Sequence, residues 1–503
     1  FATLPQSSVI REYRDLRELL GIRAVIADEI PLAGMHLFSG FLLGGEEIYE
    51  VTELGEEERQ DMNPSVPWYT TGAGTKTYMV GTLSDETIEQ TVDNEIRAQY
   101  AGMEEEAAKS NAPLSGAQPN SLHVTVILPK TVPKKKNTAK IFCVNGDYLA
   151  DISAVGILDA MMGETYDYDI YPVINAQNLV IADLPTFVSE NEEEMQKRYS
   201  QSAQAVYQEI VWPSLTSIAS RTGAKMTCMM TPQFTYTDEE EPDGENVTYY
   251  LKRLKEEHAE AGLSADSMEG IPLSEKIKQD QTFWQTYAPS YRFLSLYADG
   301  VKSIGEKSAL PAEIRTVALG SGTSGQAVGY LNENVTLQPS TSSGIRHTFL
   351  DDFKVKCMET ALGYSNITLD FYSVTYPEGD EDSWEKMSKK IAANLGTYWK
   401  AYEAFDATTL TESDVRIRRF LALDYKQQRA GNVITLSLEH REDAAWFLLR
   451  LHGEKVTEVA GGSFEEIEDG VYLILAEEDE VSVEVQNGET WQYQDGGKRG
   501  DGT

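Results

Sequence analysis

Cysteine and histidine are scarce in this chain. Its 503 residues hold three cysteines, Cys143, Cys228 and Cys357. An odd number at wide spacing builds neither a disulfide framework nor a zinc ribbon. Each sits in an apolar context (KIFCVNG, KMTCMMT, KVKCMET), as small buried hydrophobes do. The six histidines, His36, His123, His258, His347, His440 and His452, stand apart, with no HExxH or HxxxH spacing. A His-rich zinc or nickel site therefore has little support, and no metal site is expected. His347, in GIRHTFLDD beside Arg346, Asp351 and Asp352, reads as a loop histidine next to an acidic turn. There is no GxSxG elbow and no Walker loop. No run of eighteen apolar residues occurs, so no membrane span is expected in this stretch.

Positive charge is also short. Lysine and arginine number 43 against 81 aspartates and glutamates, a formal net charge of −38. Such a surface repels nucleic acid and anionic lipid, so no nucleic-acid partner is expected. It suits a neutral or polycationic partner, of which a partly deacetylated amino-sugar polymer is one. The same charge also serves as a plain solubility device. Lys134-Lys135-Lys136 form the one basic cluster, and it reads as a solvated loop between two strands.

What is present suffices for buried cores: 41% apolar and 10% aromatic residues. At about 100–200 residues per domain, two to four domains are expected. Residues 1–165 mix helix and strand signals around an irregular, Gly- and Glu-rich stretch, and VPWYTTGAGTKTYMVGTLSDE reads as a hairpin. Residues 166–410 repeat strand, loop and helix. The strands are IYPVI, KMTCMM, YRFLSLYA, IRTVALG, NVTLQ and NITLDFY, and alternation with helices predicts a parallel sheet. Six or seven such units close into a β/α barrel, here an incomplete one, with its site at the C-terminal strand ends. Residues 411–503 alternate apolar and polar positions between tight turns and predict a small antiparallel β-sandwich. The Arg499-Gly500-Asp501 tripeptide in the Gly-rich tail is best read as chance.

Gly320, Gly322 and Gly325 spell GxGxxG after a strand, but no long helix follows, so a glycine loop at the barrel mouth is the better reading than a dinucleotide site. The acidic stretches TDEEEPDGEN and YPEGDEDSW are candidate calcium ligands without the EF-hand order, and solvated loops are the commoner outcome. No other cofactor is expected. The predicted strand ends offer mostly neutral polar groups: Asn175, Gln177 and Asn178, then Gln233 and Tyr236, then Tyr297, Gln338 and Tyr372. Amides and tyrosines suit sugar hydroxyls, though several such groups merely satisfy backbone at loop starts. Two carboxylates could act as acid and base, as glycosidases require, and Asp238, Asp299 and Asp370 are the candidates, with Asp380 and Asp382 also available.

The segments LRELLGIRAV, HLFSGFLLGGEEIYE, PWYTTGAGTKTYMVG, CVNGDYL, IYPVINAQN, MTCMMTPQFTY and RIRRFLALDY resemble an uncharacterised bacterial domain family over nearly the whole chain. The family is similar to polysaccharide deacetylase and glycoside hydrolase barrels and is associated with Pel-type exopolysaccharide loci of Gram-positive bacteria. The resemblance implies a membrane anchor and an amidotransferase-like α/β domain at the start, in keeping with an opening, FATLP, that reads as a strand end. It implies an extracellular, cell-surface protein with polysaccharide and membrane-bound synthase subunits as partners. In such deacetylases the first barrel strand ends in two aspartates, one a base and one a metal ligand, with a histidine pair following. The position expected to match carries Asn175, Ala176, Gln177 and Asn178, and no His pair follows. An amide cannot act as a base.

The expectation is therefore a partial amidotransferase-like α/β domain (1–165), a deacetylase-like β/α barrel (166–410) and a β-sandwich (411–503). Its function would be binding of a polysaccharide, an amino-sugar polymer foremost, in support of exopolysaccharide synthesis, without metal-dependent deacetylation. The alternatives are a deacetylase or glycoside hydrolase using acids of later strands, and a scaffold for synthase subunits.

Overall fold

The computed structural model describes residues 2–3, 6–30, 34–50, 66–71, 75–82, 140–149, 151–236, 241–267, 271–300, 310–320, 326–346 and 349–487. The chain forms two compact units. One contains Phe1–Met161 and Ile174–Arg418; the other contains Met162–Val173 and Arg419–Thr503. Among the described residues no helix is long and apolar enough to cross a membrane.

The first unit is built on a ten-stranded sheet. Its strands are β1 (Ala176–Ala182), β2 (Met226–Met230), β3 (Glu260–Ser264), β4 (Ser295–Ala298), β5 (Thr316–Leu319), β6 (Gly329–Tyr330), β7 (Thr336–Pro339), β8 (Ser342–Ser343), β9 (Tyr364–Asp370) and β10 (Ala407–Thr408). The order is β6-β7-β5-β4-β3-β2-β1-β9-β8, with β10 beside β1. Every pairing is parallel except β6 with β7. The central strands β1, β2, β4, β5 and β7 are short runs buried along their whole length, as parallel strands covered on both faces must be. The sheet curls into a half-barrel. Four strands, β2 to β5, separate β1 from β7 in the sheet, yet Asn178 Nδ2 of β1 donates to Gln338 Oε1 of β7 at 3.2 Å.

Alternation along the strands sorts side chains between two cores. Leu179, Ile181, Cys228 and Met230 point outward and pack with Leu215 and Ile218 of Trp212–Thr222, Leu254 of Val247–Glu256, Phe283 and Trp284 of Leu273–Tyr287 and Leu395 of Trp384–Tyr398. Val180, Ala182, Met229, Tyr297 and Ala318 point inward and meet Leu410. Leu410 opens the helix Leu410–Ala422, which closes the N-terminal side of the half-barrel: its amide donates to Thr227 Oγ1, and Thr411 donates twice to Glu260.

The predicted strand IYPVI exists, as Tyr168–Val173, but it does not open the barrel. It pairs antiparallel with Ala445–Leu451 in the second unit. That unit has two four-stranded antiparallel sheets packed in a sandwich around Ile170, Leu436, Phe447, Ile474 and Val483, with one strand taken from far upstream. Barrel strand β1 is instead AQNLVIA, which follows a left-handed turn at Asn175 (φ 56°).

The N-terminal region also differs from expectation. Val66–Thr71 pairs with Ile22–Ile30, and Met79–Thr82 pairs with Gly34–Leu37, so the two predicted arms of one hairpin serve different sheets. Among the described residues of this region the one parallel pair is Ala2–Thr3 with Cys143–Val144. The three cysteines are buried thiols that form no disulfide with one another.

Candidate functional site

The C-terminal ends of the strands carry acids. β1 is followed directly by Asp183, in a left-handed conformation (φ 59°). β3 is followed by Asp266, β4 by Asp299, and β9 ends in Asp370. Parallel strands bring these ends to one side. Asp183 is buried, and its Oδ1 accepts from Ser264 Oγ at 2.6 Å, while Ser264 Oγ accepts from the Asp266 amide at 3.1 Å. Two consecutive acids of the site are thus fixed through one hydroxyl.

Electrostatics links the group. Burial first, and then the charges of Asp266 and Asp370, hold the Asp183 carboxyl well above the usual carboxylate range. Desolvation, helped by Asp299 and Asp370, pushes Asp266 up to about 7. Asp370 is also raised, by desolvation and then by Asp299, although its side chain reaches solvent and the Tyr372 amide donates to its Oδ1 at 2.9 Å. Asp299 is exposed. Burial and the same carboxylates raise the Tyr297 phenol. Gly320, at the end of β5, is needed here: a Cβ would lie 2.8 Å from both Asp299 Oδ1 and the Tyr297 hydroxyl.

A buried lysine backs this cluster. Lys276 of Leu273–Tyr287 has no solvent exposure and donates to Tyr236 Oη (2.7 Å), Asp280 Oδ2 (2.9 Å) and Thr231 Oγ1 (3.0 Å). Its charge opposes the upward shifts of Asp183 and Asp266. Buried Glu190 accepts from the Phe234 and Thr235 amides and so pins the loop after β2. Phe234 meets Tyr372 edge-on at 5.0 Å, and Tyr372 stacks on Tyr376 at 5.0 Å. Tyr372 and Tyr376 are half-buried, so the acids lie beside a partly open aromatic wall. A cleft of about 690 Å³ shares Ser264 and Asp280 with the site and continues past Trp284, Tyr291 and Arg292.

The structure brings Asp299, Asp370, Tyr297, Tyr372 and Tyr236 of the expected residues to this end. Gln233 lies in the loop after β2. Four others are corrected. Asn175, Gln177 and Asn178 stand at the start of β1, and Gln338 lies within β7. All four are buried in a polar network at the N-terminal side. Asn175 exchanges hydrogen bonds with Asp406, Gln177 donates to Glu359, and Gln338 donates to Thr316 Oγ1 and the Leu410 carbonyl. Taking IYPVI for the first barrel strand put its successor's beginning where an end was expected. Asp238 and His347 lie outside the described residues. Asp183, Asp266, Ser264 and Lys276 were missed. The signal for Asp183 was legible in NLVIADLP, an apolar run closed by an acid two residues before proline.

Among the described residues no group of three or more His, Cys, Asp or Glu side chains is arranged to hold a metal ion. In the acidic stretches, Asp243 Oδ1 accepts from the Glu245 amide, Asp382 Oδ2 accepts from the Glu378 and Gly379 amides, and Glu381 pairs with Lys386 and Lys390.

Residues 87–269, less than half of the chain, match the model of a family described as an uncharacterised protein conserved in bacteria (DUF2194). No curated protein matches the chain. Among solved structures, a putative polysaccharide deacetylase from Mycobacterium smegmatis is similar at 9% identity and TM-score 0.28, over 48% of this chain and 90% of that one. The alpha-fucosidase of Thermotoga maritima aligns at 11% identity and TM-score 0.24, over 62% and 95%. A GH36 alpha-galactosidase from Geobacillus stearothermophilus aligns at 10% identity and TM-score 0.23, over 61% and 55%.

Proposed function

We propose that the first unit is a carbohydrate-active hydrolase that works by acid–base chemistry at the C-terminal end of the half-barrel. The observation that carries this is the set of four interacting carboxyls, Asp183, Asp266, Asp299 and Asp370, whose environments differ. Carboxyls with separated proton affinities are what glycoside or amide hydrolysis needs: one proton donor for the leaving group and one base or nucleophile. Asp266, pushed up to about 7, keeps its proton at neutral pH often enough to donate it. Asp299, open to solvent, is the base. Asp183 and Ser264 position Asp266, and Tyr372 with Tyr376 supplies a flat apolar face for a sugar ring. Amides at the first strand end argued against catalysis, but they stand at the opposite end of β1, and that argument falls with them.

The substrate class is a saccharide polymer, with amino sugars foremost because the chain carries −38 formal charges. On the resemblance of its sequence segments, the protein works outside the cytoplasm, anchored at the cell surface, beside the membrane-bound subunits of an exopolysaccharide synthase. A second reading, binding without turnover, is favoured by the Tyr372–Tyr376 stack alone.

The test incubates the protein with glucosamine and N-acetylglucosamine oligosaccharides and follows new reducing ends and released acetate. Turnover that Asp266→Asn and Asp299→Asn each lower by at least a hundredfold supports the hydrolase. Binding lost in Tyr372→Ala, with no turnover of any oligosaccharide, would move the second reading forward.

A further inference from the structure

The second unit has a cleft of its own. It measures about 700 Å³ and is lined by Tyr166, Asp167, Tyr168, Gln427, Arg429, His452, Glu454 and Asn487. That volume lies within the range of about 300–1,000 Å³ usual for small-molecule sites. Every lining residue belongs to the sandwich unit, including the upstream strand that it borrows.

The lining is organised rather than incidental. Arg429 donates from Nη1 and Nη2 to the two oxygens of Glu454 at 2.9 and 2.7 Å, and from Nε to the Gly431 carbonyl at 3.0 Å. This two-pronged bond locks the guanidinium, which lies 5.4 Å from the centroid of the Tyr168 ring. Arg429 and Glu454 are thereby spent on each other. His452 donates from Nε2 to the Gly163 carbonyl at 2.7 Å, a bond that holds the imidazole ring in place. Tyr166, in contrast, is 51% exposed, a flat ring offered to solvent. Asn487 is exposed as well. Asp167 contributes a carboxylate within electrostatic reach of an arginine already neutralised by Glu454.

A rigid floor, an open aromatic ring, side-chain amides and a carboxylate beside an arginine already paired with Glu454 have the chemistry of a saccharide subsite with a place for a cation. We infer that this cleft binds a cationic saccharide, with a sugar ring on Tyr166 and the ammonium substituent of an amino sugar at Asp167. Tyr166 gives the flat apolar surface that a pyranose face needs. Gln427 and Asn487 supply paired donors and acceptors for hydroxyls. The cleft shares no residue with the carboxyl cluster of the half-barrel, so binding here does not rest on the proposed hydrolysis there.

The experiment is a calorimetric titration of the full chain with glucosamine hexamer and, in parallel, with the N-acetylated hexamer. Tyr166→Ala and Asp167→Asn are compared with Tyr372→Ala, and the thermal midpoint of each variant is checked. The expected result is a binding event for the amine hexamer that each sandwich substitution weakens about tenfold and Tyr372→Ala leaves in place, with weaker binding of the acetylated hexamer. An affinity unchanged by both sandwich substitutions, or equal for the two hexamers, overturns the inference. Sandwich binding in a protein that turns over no oligosaccharide would instead overturn the hydrolase reading and leave this inference standing.

Discussion

At the scale of single residues, Asp266 joins the proposed chemistry to a stability effect. Its folded-state proton affinity is raised to about 7, above the unfolded value of about 3.9. The folded protein therefore holds a proton that the unfolded chain has released, and stability falls as pH rises from about 4 through 7. Asp266→Asn removes that loss. Its melting midpoint relative to the native protein is expected to rise between pH 5 and pH 8, while turnover falls; thermal melts across that range check it, and a pH-independent difference would contradict the buried-proton account. Gly320 makes a second case. A methyl group there meets Asp299 Oδ1 and the Tyr297 hydroxyl at 2.8 Å and Asp299 Cα at 3.2 Å. Displacing the Asp299 carboxyl by part of an ångström is expected to lower turnover by about 10–100-fold. Initial rates on Gly320→Ala, with a melt to confirm folding, measure this; full activity would remove Asp299 from the proposed base role.

At the scale of elements, β1 has two ends with different duties. Asn178 donates to Gln338 and Ser413 and accepts from Thr408, all buried. Asn178→Ala orphans several polar partners, at a cost of about 1–3 kcal/mol. Denaturant unfolding is expected to show that loss while turnover per folded molecule stays unchanged; a loss of saccharide binding without loss of stability would restore the amides to the site. Much at this scale was legible. KMTCMM, YRFLSLYA, IRTVALG, NVTLQ and NITLDFY all contain strands of one parallel sheet, because short β-branched or apolar runs between turn signals have few other fates. AQNLVIA and EAGLS were missed because Asn, Gln and Gly lie inside them, where propensity is poor and burial decides. Missing two strands hid the acids that end or follow them. Tyr297, Asp299, Asp370 and Tyr372 could be placed at this end from the sequence because their strands were recognised.

At the scale of the whole molecule, the chain passes from the first unit into the second and back between Met162 and Val173 before returning to finish the sandwich. No local pattern distinguishes a strand that joins the next helix-strand repeat from one that pairs with a partner about 280 residues on, since both are short buried runs. A chain ended after Arg418 leaves Tyr168–Val173 without Ala445–Leu451 and exposes Ile170, which is otherwise fully buried. Such a chain is expected to bind a hydrophobic dye and to precipitate; a soluble product with a sharp melt would contradict the shared-strand architecture. The charge of −38 acts at this scale too. It favours cationic saccharides over a distance set by salt, so their affinity is expected to fall as ionic strength rises from 0.01 to 0.15 M.

The most direct measurement of the central claim is the pH dependence of oligosaccharide hydrolysis by the native protein and Asp266→Asn. The account predicts a bell-shaped profile for the native protein, with an alkaline limb near pH 7 where Asp266 loses its proton, and loss of both rate and limb in the variant. Equal rates with the same alkaline limb in both proteins would contradict it.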